Sequence, residues 1–113
     1  METLHSDWHG VCETSDLVAN SGICALVEGQ QVALFYLPGQ AQEIYAIGNF
    51  DPAGWANVLS RGIVGDLQGQ IVVASPLYKH HYVLENGQCL EKPELRVPVF
   101  PARIQDGRVL IRV

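Results

Sequence analysis

Three kinds of residue in this chain could carry chemistry: a serine near two histidines, a carboxylate before a proline, and three cysteines. Ser75 precedes the pair His80 and His81, but a serine nucleophile needs a histidine base that a carboxylate orients. The Gly-x-Ser-x-Gly turn that often presents such a serine is absent around Ser75. Asp51 stands before Pro52, where an Asx turn is the ordinary explanation. The residue types alone therefore indicate no complete catalytic site.

Metal ligands are equally hard to assemble from the sequence. Zinc and related metals need thiolates or imidazoles placed together, yet the chain has no Cys-x-x-Cys, Cys-x-His or His-Glu-x-x-His motif. His80 and His81 are adjacent, so in a strand they would point to opposite faces. Cys24 lies in an apolar run and Cys89 at the base of a predicted hairpin, which favours packing roles for both. The role of Cys12 stays open.

Composition limits the class of protein. With 113 residues, of which 48% are hydrophobic and 17% charged, the chain is predicted to fold as one domain. Its net charge of −5 argues against nucleic-acid binding, which clustered lysines and arginines promote. No apolar run approaches the ~20 residues that span a bilayer. The amino-terminal residues lack the basic and apolar regions of a secretory signal, so we expect reduced cysteines and a cytoplasmic protein.

The predicted secondary structure is β almost throughout. Apolar runs predict strands over residues 22–27, 32–37, 43–48, 71–74 and 81–84, with a closing hairpin over 102–113. Asn86-Gly87 and Asp106-Gly107 each predict a two-residue turn in which both residues have positive φ. Residues 49–69 are predicted to be irregular, and residues 1–9 to form a flexible leader before a single domain over 10–113. Together these elements predict an all-β fold, a small antiparallel β-sandwich or barrel.

Phrases along most of the chain resemble a Rieske-type ferredoxin domain. The first cluster loop of that family corresponds to Asn49–Ala53, its Leu-Ser-x-Gly to Leu59–Gly62, and its second cluster loop to Val73–Tyr78. The hairpin Tyr82–Gly87 and the closing segment Val97–Val109 also match the family. The resemblance implies a Rieske-like antiparallel β fold, with a small loop subdomain where the family binds its cluster.

The ligand positions depart from the family's pattern. A Rieske centre binds one iron through two thiolates and the other through two imidazoles. The resemblance places the first Cys and His positions at Asp51 and Ala53, and the second Cys and His positions at Ser75 and Tyr78. Alanine has no donor atom, and serine and tyrosine hydroxyls are poor substitutes for the usual ligands. The resemblance therefore implies a domain that binds no metal and no cofactor of its own.

Within the Rieske-like group, the chain is similar to small subunits of cytoplasmic NAD(P)H-dependent nitrite reductases that lack the cluster ligands. The likeness lies in Val11-Cys12, Gly22–Val27, Ala46–Pro52, Val58–Val64 and Val73–Leu77. It implies a partner, the large subunit, which in this family carries sirohaem, an iron–sulfur cluster, FAD and the NAD(P)H site. The implied reaction is the reduction of nitrite to ammonium, with no catalytic residue on this chain and no nucleic-acid or membrane partner.

Without a cluster to shield, apolar and aromatic residues of the two loops are candidates for binding that partner. They are Phe50, Trp55, Leu77, Tyr78 and His80. Core packing is the alternative for Phe50 and Leu77, whereas the loop positions of Trp55 and Tyr78 favour exposure.

Two further hypotheses belong to other functional classes. One is an electron carrier that binds an iron–sulfur cluster through unconventional ligands, which visible charge-transfer bands would reveal. The other is an independent enzyme that uses Asp51 or Ser75, for which the sequence shows no partner residue.

Overall fold

The structure is a computed structural model that describes residues 8–113. Its strands are β1 Trp8–Glu13, β2 Ser21–Val27, β3 Gln30–Tyr36, β4 Ile44–Gly48, β5 Phe50–Asp51, β6 Ala56–Asn57, β7 Ile63–Leu67, β8 Gln70–Ala74, β9 His81–Val83, β10 Val99–Phe100, β11 Ala102–Gln105 and β12 Arg108–Arg112. Short 3₁₀ turns cover Thr14–Asp16 and Leu59–Arg61. No helix within the described range is long and apolar enough to cross a membrane.

The strands pair in antiparallel fashion and form four sheets. The terminal sheet has the order β1-β12-β11, and the central sheet has the order β10-β4-β3-β2. The outer sheet has the order β7-β8-β9, while β5 and β6 form a separate small hairpin. The predicted all-β antiparallel architecture is confirmed.

Strand β3 explains how these sheets are layered. Val32, Ala33, Leu34 and Phe35 follow one another, and all four are fully buried. Successive side chains of a strand point to opposite faces, and accordingly Val32 and Leu34 belong to one hydrophobic cluster while Ala33 and Phe35 belong to another. Such a continuous apolar run is what a strand needs when both of its faces are covered. The central sheet is therefore the middle layer of the fold.

Each of the two clusters joins the central sheet to a different neighbour. On one face, Val109 and Ile111 from the terminal sheet pack with Leu34. On the other face, Val73 and Tyr82 from the outer sheet pack with the second cluster. Burying an aliphatic or aromatic side chain of this size contributes about 1.5–3 kcal/mol, so these contacts fix the outer sheet, and the loop after β8, against the middle layer.

Most of the predicted strands are confirmed, but residues 49–69, predicted to be irregular, contain β7 and the two short strands β5 and β6. β7 covers Ile63–Leu67 and forms a hairpin with β8 through Gln68 and Gly69, at φ 56° and 79°. A glutamine in the left-handed region is not a usual turn signal. Ile63 is largely exposed as well, so the strand lacks the apolar pattern that predicts burial.

The two predicted two-residue turns have different outcomes. Asp106 and Gly107 have φ 53° and 76°, so that prediction is confirmed. The prediction for Asn86 is wrong, because in that turn only Gly87 has a positive φ. The side-chain oxygen of Asn86 instead accepts a hydrogen bond from the Gln88 amide at 2.9 Å, and the Gly87 amide donates to the carbonyl of Val83 at 2.7 Å. These bonds close a longer loop than the predicted one.

The predicted leader ends two residues too late. Trp8 and His9 lie in β1, where Trp8 pairs with Arg112 and His9 with Ile111 of β12. Hydrogen bonding to the final strand draws them into the terminal sheet. Residues 1–7, the rest of the predicted leader, lie outside the described residues.

Candidate functional site

Two loops that the resemblance assigns to a cluster lie at one end of the fold. The first is the β5–β6 hairpin, closed by a hydrogen bond from the Trp55 amide to the Asp51 carbonyl at 2.7 Å. The second joins β8 to β9 and is closed by a bond from the Ser75 amide to the His80 carbonyl at 2.8 Å. Packing of the outer sheet on the central sheet brings the second loop against the first.

The carboxylate of Asp51 joins the two loops directly. Asp51 is fully buried, and its Oδ2 accepts a hydrogen bond from the Ser75 hydroxyl at 2.5 Å. Its Oδ1 accepts bonds from the Tyr82 hydroxyl at 2.8 Å and from the Ala53 amide at 2.9 Å. The hydroxyl oxygen of Ser75 in turn accepts a hydrogen bond from the Leu77 backbone amide at 3.2 Å. One buried carboxylate thus links both loops to strand β9.

Protonation states follow from this geometry. Burial by itself would raise the pKa of Asp51, but hydrogen bonds from Ser75, Tyr82, and the Ala53 and Gly54 amides outweigh it and lower that pKa. Burial raises the pKa of Tyr82 well above its usual range, and the hydrogen bond to Asp51 and its charge raise it further. Asp51 is therefore an ionised acceptor and Tyr82 a protonated donor, which is the stronger form of this contact.

The loops are also packed against each other. A Cβ atom at Gly54 would lie 2.6 Å from Cδ1 of Leu77 and 3.1 Å from Oδ2 of Asp51. A side chain at this point of the first loop would force Leu77 to shift. Leu77 is half-buried as a result, which places it between the core-packing and interface roles considered for it.

The other predicted interface residues differ in their exposure. Trp55 is 79% exposed and Tyr78 is 73% exposed, as predicted from their loop positions. Phe50 is 39% exposed and meets the edge of Trp55, with ring centres 5.6 Å apart. His80 is half-buried, and its ring lies 6.5 Å from that of Tyr78.

A cleft of about 490 Å³ opens beside the second loop. Ala53, Tyr78 and His80 contribute to it, together with Lys92 and Glu94. Nδ1 of His80 is buried and has no hydrogen-bond partner among residues 8–113. The cleft therefore combines an aromatic wall with charged groups of both signs.

Histidine and serine do not form a catalytic pair here. The Ser75 hydroxyl donates to Asp51, while the ring of His81 contacts the carboxylate of Glu91 at 2.6 Å. The Glu91 carboxylate also accepts a hydrogen bond from the His81 backbone amide at 2.8 Å. This pair therefore connects β9 to the segment that follows it. The Ser-His cluster that the sequence suggests therefore separates into two unrelated contacts.

The residues at the ligand positions do not fit a [2Fe–2S] cluster. Both carboxylate oxygens of Asp51 already accept hydrogen bonds. The Ala53 side chain has no atom that can bind a metal, and the Tyr78 side chain projects into solvent. The donor set has no thiolate and no imidazole, the ligand types that Rieske centres use. In the part of the chain that the structure describes, no group of three or more His, Cys, Asp or Glu could hold a metal ion.

The cysteines offer no replacement ligands at the loops. Cys89 is buried in a hydrophobic cluster, as predicted, and burial raises the pKa of its thiol. Burial and the charge of Asp16 raise the pKa of Cys12. The packing role predicted for Cys24 is wrong, because Cys24 is exposed on β2, an edge strand of the central sheet.

Sequence reasoning missed two residues that organise the site. Tyr82 was assigned only to a hairpin, yet a buried tyrosine needs a partner for its hydroxyl, and that rule points to a polar contact. Asn49 is buried. Its Oδ1 accepts a hydrogen bond from the Ser60 backbone amide at 2.7 Å, and its Nδ2 donates one to Oε1 of Gln31 at 3.0 Å. Asn49 thus fixes the start of the first loop.

Proteins of known family share this layered antiparallel fold. The family model described as "Rieske-like [2Fe-2S] domain" matches residues 7–112. The NADH nitrite reductase small subunit of Salmonella typhimurium is 41% identical over 107 residues, which cover 95% of this chain and 98% of that protein. The solution structure of Escherichia coli NirD superposes with a TM-score of 0.84 at 39% identity, covering 94% of this chain and 96% of that chain.

A longer relative contains a comparable domain within a larger polypeptide. The NAD(P)H nitrite reductase large subunit of Klebsiella oxytoca is 36% identical over 104 residues, which cover 92% of this chain and 11% of that protein. The chain therefore belongs to the Rieske-like [2Fe–2S] domain family, and within it to the small subunits of NADH nitrite reductase.

Replacing the central carboxylate should destabilise the fold. In an Asp51→Ala variant, the Ser75 and Tyr82 hydroxyls lose their acceptor, and each unsatisfied buried group costs about 1–3 kcal/mol. We expect the free energy of unfolding, measured by urea denaturation, to fall by about 3 kcal/mol. Asp66→Ala, at an exposed carboxylate on β7, should change it by less than about 0.5 kcal/mol. Equal stabilities for the two variants would contradict the role assigned to Asp51.

The same carboxylate should make stability depend on pH. The folded protein lowers the pKa of Asp51 below its ordinary value of 3.8. This contribution to stability is fully present above the ordinary value and is lost as pH falls through the folded pKa. We therefore expect the stability gap between the wild type and Asp51→Asn to be largest at neutral pH and to shrink below about pH 4. Urea titrations across this range measure the gap, and a gap independent of pH would refute the assignment.

Proposed function

We propose that this chain is a non-catalytic, cluster-free small subunit of a cytoplasmic NAD(P)H-dependent nitrite reductase and that it binds the large subunit through its two facing loops. The loop surface consists of Phe50, Trp55, Leu77, Tyr78 and His80. The observation that carries the proposal is the direct bond between Asp51 and Ser75. Hydrogen bonding of the two loops gives them a fixed shape without a metal, so they can serve as a rigid binding surface.

The loop surface has the chemistry of an interface. Tryptophan and tyrosine are enriched among the residues that contribute most to binding, because burying them removes a large apolar area from water. Trp55 and Tyr78 are among the most exposed large hydrophobic residues in the described chain. Each stands on one of the two hydrogen-bonded loops, so the positions of both depend on the same Asp51 contact.

Backbone strain in both loops supports the same conclusion. Trp55, Tyr78 and Lys79 have φ of 57°, 43° and 57°, in the left-handed region that non-glycine residues seldom occupy. Such conformations cost of order 1–3 kcal/mol and persist where surrounding contacts enforce them, often at binding sites. Here the bonds of the Trp55 and Ser75 amides close the two strained loops.

Catalysis in this proposal belongs to the large subunit. By the family resemblance, that subunit carries sirohaem, an iron–sulfur cluster, FAD and the NAD(P)H site, and it reduces nitrite to ammonium. The small subunit supplies no group to the reacting atoms. It favours the folded, assembled form of its partner by mass action, because a ligand that binds only the native state stabilises it.

Truncating the loop aromatics should weaken the complex. We expect Trp55→Ala and Tyr78→Ala each to raise the Kd for the purified large subunit by about tenfold or more, since such anchors contribute about 2 kcal/mol when buried. Ile63→Ala is the matched control, because Ile63 is 74% exposed on β7 and outside the loop surface. Isothermal titration or biolayer interferometry measures the three affinities. If all three variants bind as the wild type does, the loop surface is not the interface.

The cluster-free state has its own test. After anaerobic reconstitution with iron and sulfide, the wild type should stay colourless and show no visible charge-transfer bands, because Asp51, Ala53, Ser75 and Tyr78 supply no thiolate or imidazole. The matched variant restores the family ligands with Asp51→Cys, Ala53→His, Ser75→Cys and Tyr78→His, and it shows whether the reconstitution conditions work. A brown wild type with about two irons per chain would establish the electron-carrier hypothesis instead.

A further inference from the structure

Positive charge is concentrated on the outer face of the terminal sheet. Val109 and Ile111 of β12 are fully buried, so the alternate residues Arg108 and Arg112 project from the opposite face. Arg103 of β11 pairs with Leu110, which lies between those arginines on β12, so its side chain joins the same face. All three arginines are exposed.

Trp8 and Gly10 of β1 allow the three arginine side chains to lie close together. The guanidinium carbons of Arg103 and Arg112 lie 4.3 Å and 5.7 Å from the centre of the Trp8 ring, within the range of cation–π attraction. A Cβ atom at Gly10 would lie 2.7 Å from a terminal nitrogen of Arg108. The missing side chain therefore lets Arg108 lie across β1, and the three guanidinium groups share one surface. We call Trp8, Arg103, Arg108 and Arg112 the arginine face.

The arginine face contrasts with the charge of the whole chain. The chain has a net charge of −5 and only seven lysines and arginines. Strands β1, β11 and β12 contain three of those seven and a single acidic residue, Glu13. The Glu13 carboxylate accepts a hydrogen bond from the backbone amide of Asp16, in the 3₁₀ turn that follows β1. A local positive surface on an acidic protein steers and orients a partner of opposite charge.

Both ends of the fold meet at this face. Trp8 near the start of the domain pairs directly with Arg112 near its end. In the Klebsiella oxytoca large subunit, the matching segment covers only 11% of a longer chain. A polypeptide that continues from either end of this fold leaves it beside the arginine face. Where the matching segment of that relative folds in the same way, the polypeptide on either side connects to it through the strands that carry this surface.

We propose that the arginine face is a second contact with the large subunit and that it binds an acidic segment of that protein through its carboxylates. This inference rests on the proposed function. Arginine suits the role because its planar guanidinium donates two parallel hydrogen bonds to a carboxylate. The loop surface supplies apolar contact, and the arginine face supplies charge pairing that fixes the orientation of the two subunits.

Charge reversal at Arg103 tests the proposal on the full chain and the purified large subunit. Arg103→Glu should raise the Kd about tenfold or more at about 0.05 M salt, and the loss should shrink at about 0.3 M salt because screening weakens charge pairs. Arg61→Glu is the matched control, since it makes the same charge change at an exposed arginine on the 3₁₀ turn before β7. Thermal melting of each variant shows that the fold is retained.

Each outcome has a distinct meaning. A salt-sensitive loss for Arg103→Glu, together with wild-type affinity for Arg61→Glu, supports the arginine face. Equal affinities for both variants, or equal losses, overturn it while leaving the proposed function intact. Sedimentation of the free chain gives a further criterion, since a wild-type dimer that Arg103→Glu dissociates assigns the face to a second copy and overturns the proposal. Failure of the wild type to bind the large subunit overturns the proposed function itself.

Discussion

A buried carboxylate that accepts three hydrogen bonds is the contact on which the loop end of this domain depends. Burial of an ionised group is costly unless its acceptors are satisfied, and at Asp51 the Ser75 and Tyr82 hydroxyls and the Ala53 amide satisfy them. The same contact holds the loops close enough for Leu77 to pack against Gly54. By the resemblance, these loops correspond to the two that hold the cluster in Rieske centres, and hydrogen bonds join them in this structure.

The layered sheets determine which surfaces remain for binding. The central sheet has both faces covered, by the terminal sheet through Val109 and Ile111 and by the outer sheet through Val73 and Tyr82. The loop end, the outer faces of the flanking sheets and the β2 edge of the central sheet remain open to a partner. The loop surface is apolar and aromatic, whereas the arginine face is charged, so the two contacts proposed for the large subunit differ in chemistry.

Much of the fold could be predicted from local pattern, and the failures have physical causes. The continuous apolar run of β3 predicts a strand correctly because burial on both faces demands it. β7 was not predicted, because Ile63 faces solvent and the strand lacks an apolar pattern. The turn after it was not predicted either, because Gln68 occupies a left-handed conformation that glutamine seldom adopts. Cys24 lies in an equally apolar run but on an edge strand, and no local pattern distinguishes an edge from a centre.

For the candidate site, the sequence by itself determined the chemical types: no thiolate or imidazole at Asp51, Ala53, Ser75 and Tyr78, and exposed loop positions for the aromatics. The tertiary structure alone decided that Asp51 bonds Ser75, 24 residues away, and Tyr82, 31 residues away. A hydrogen bond forms only when donor and acceptor come within about 3 Å. For residues so far apart in the chain, that distance is set by sheet packing and strand register, which residue types do not reveal.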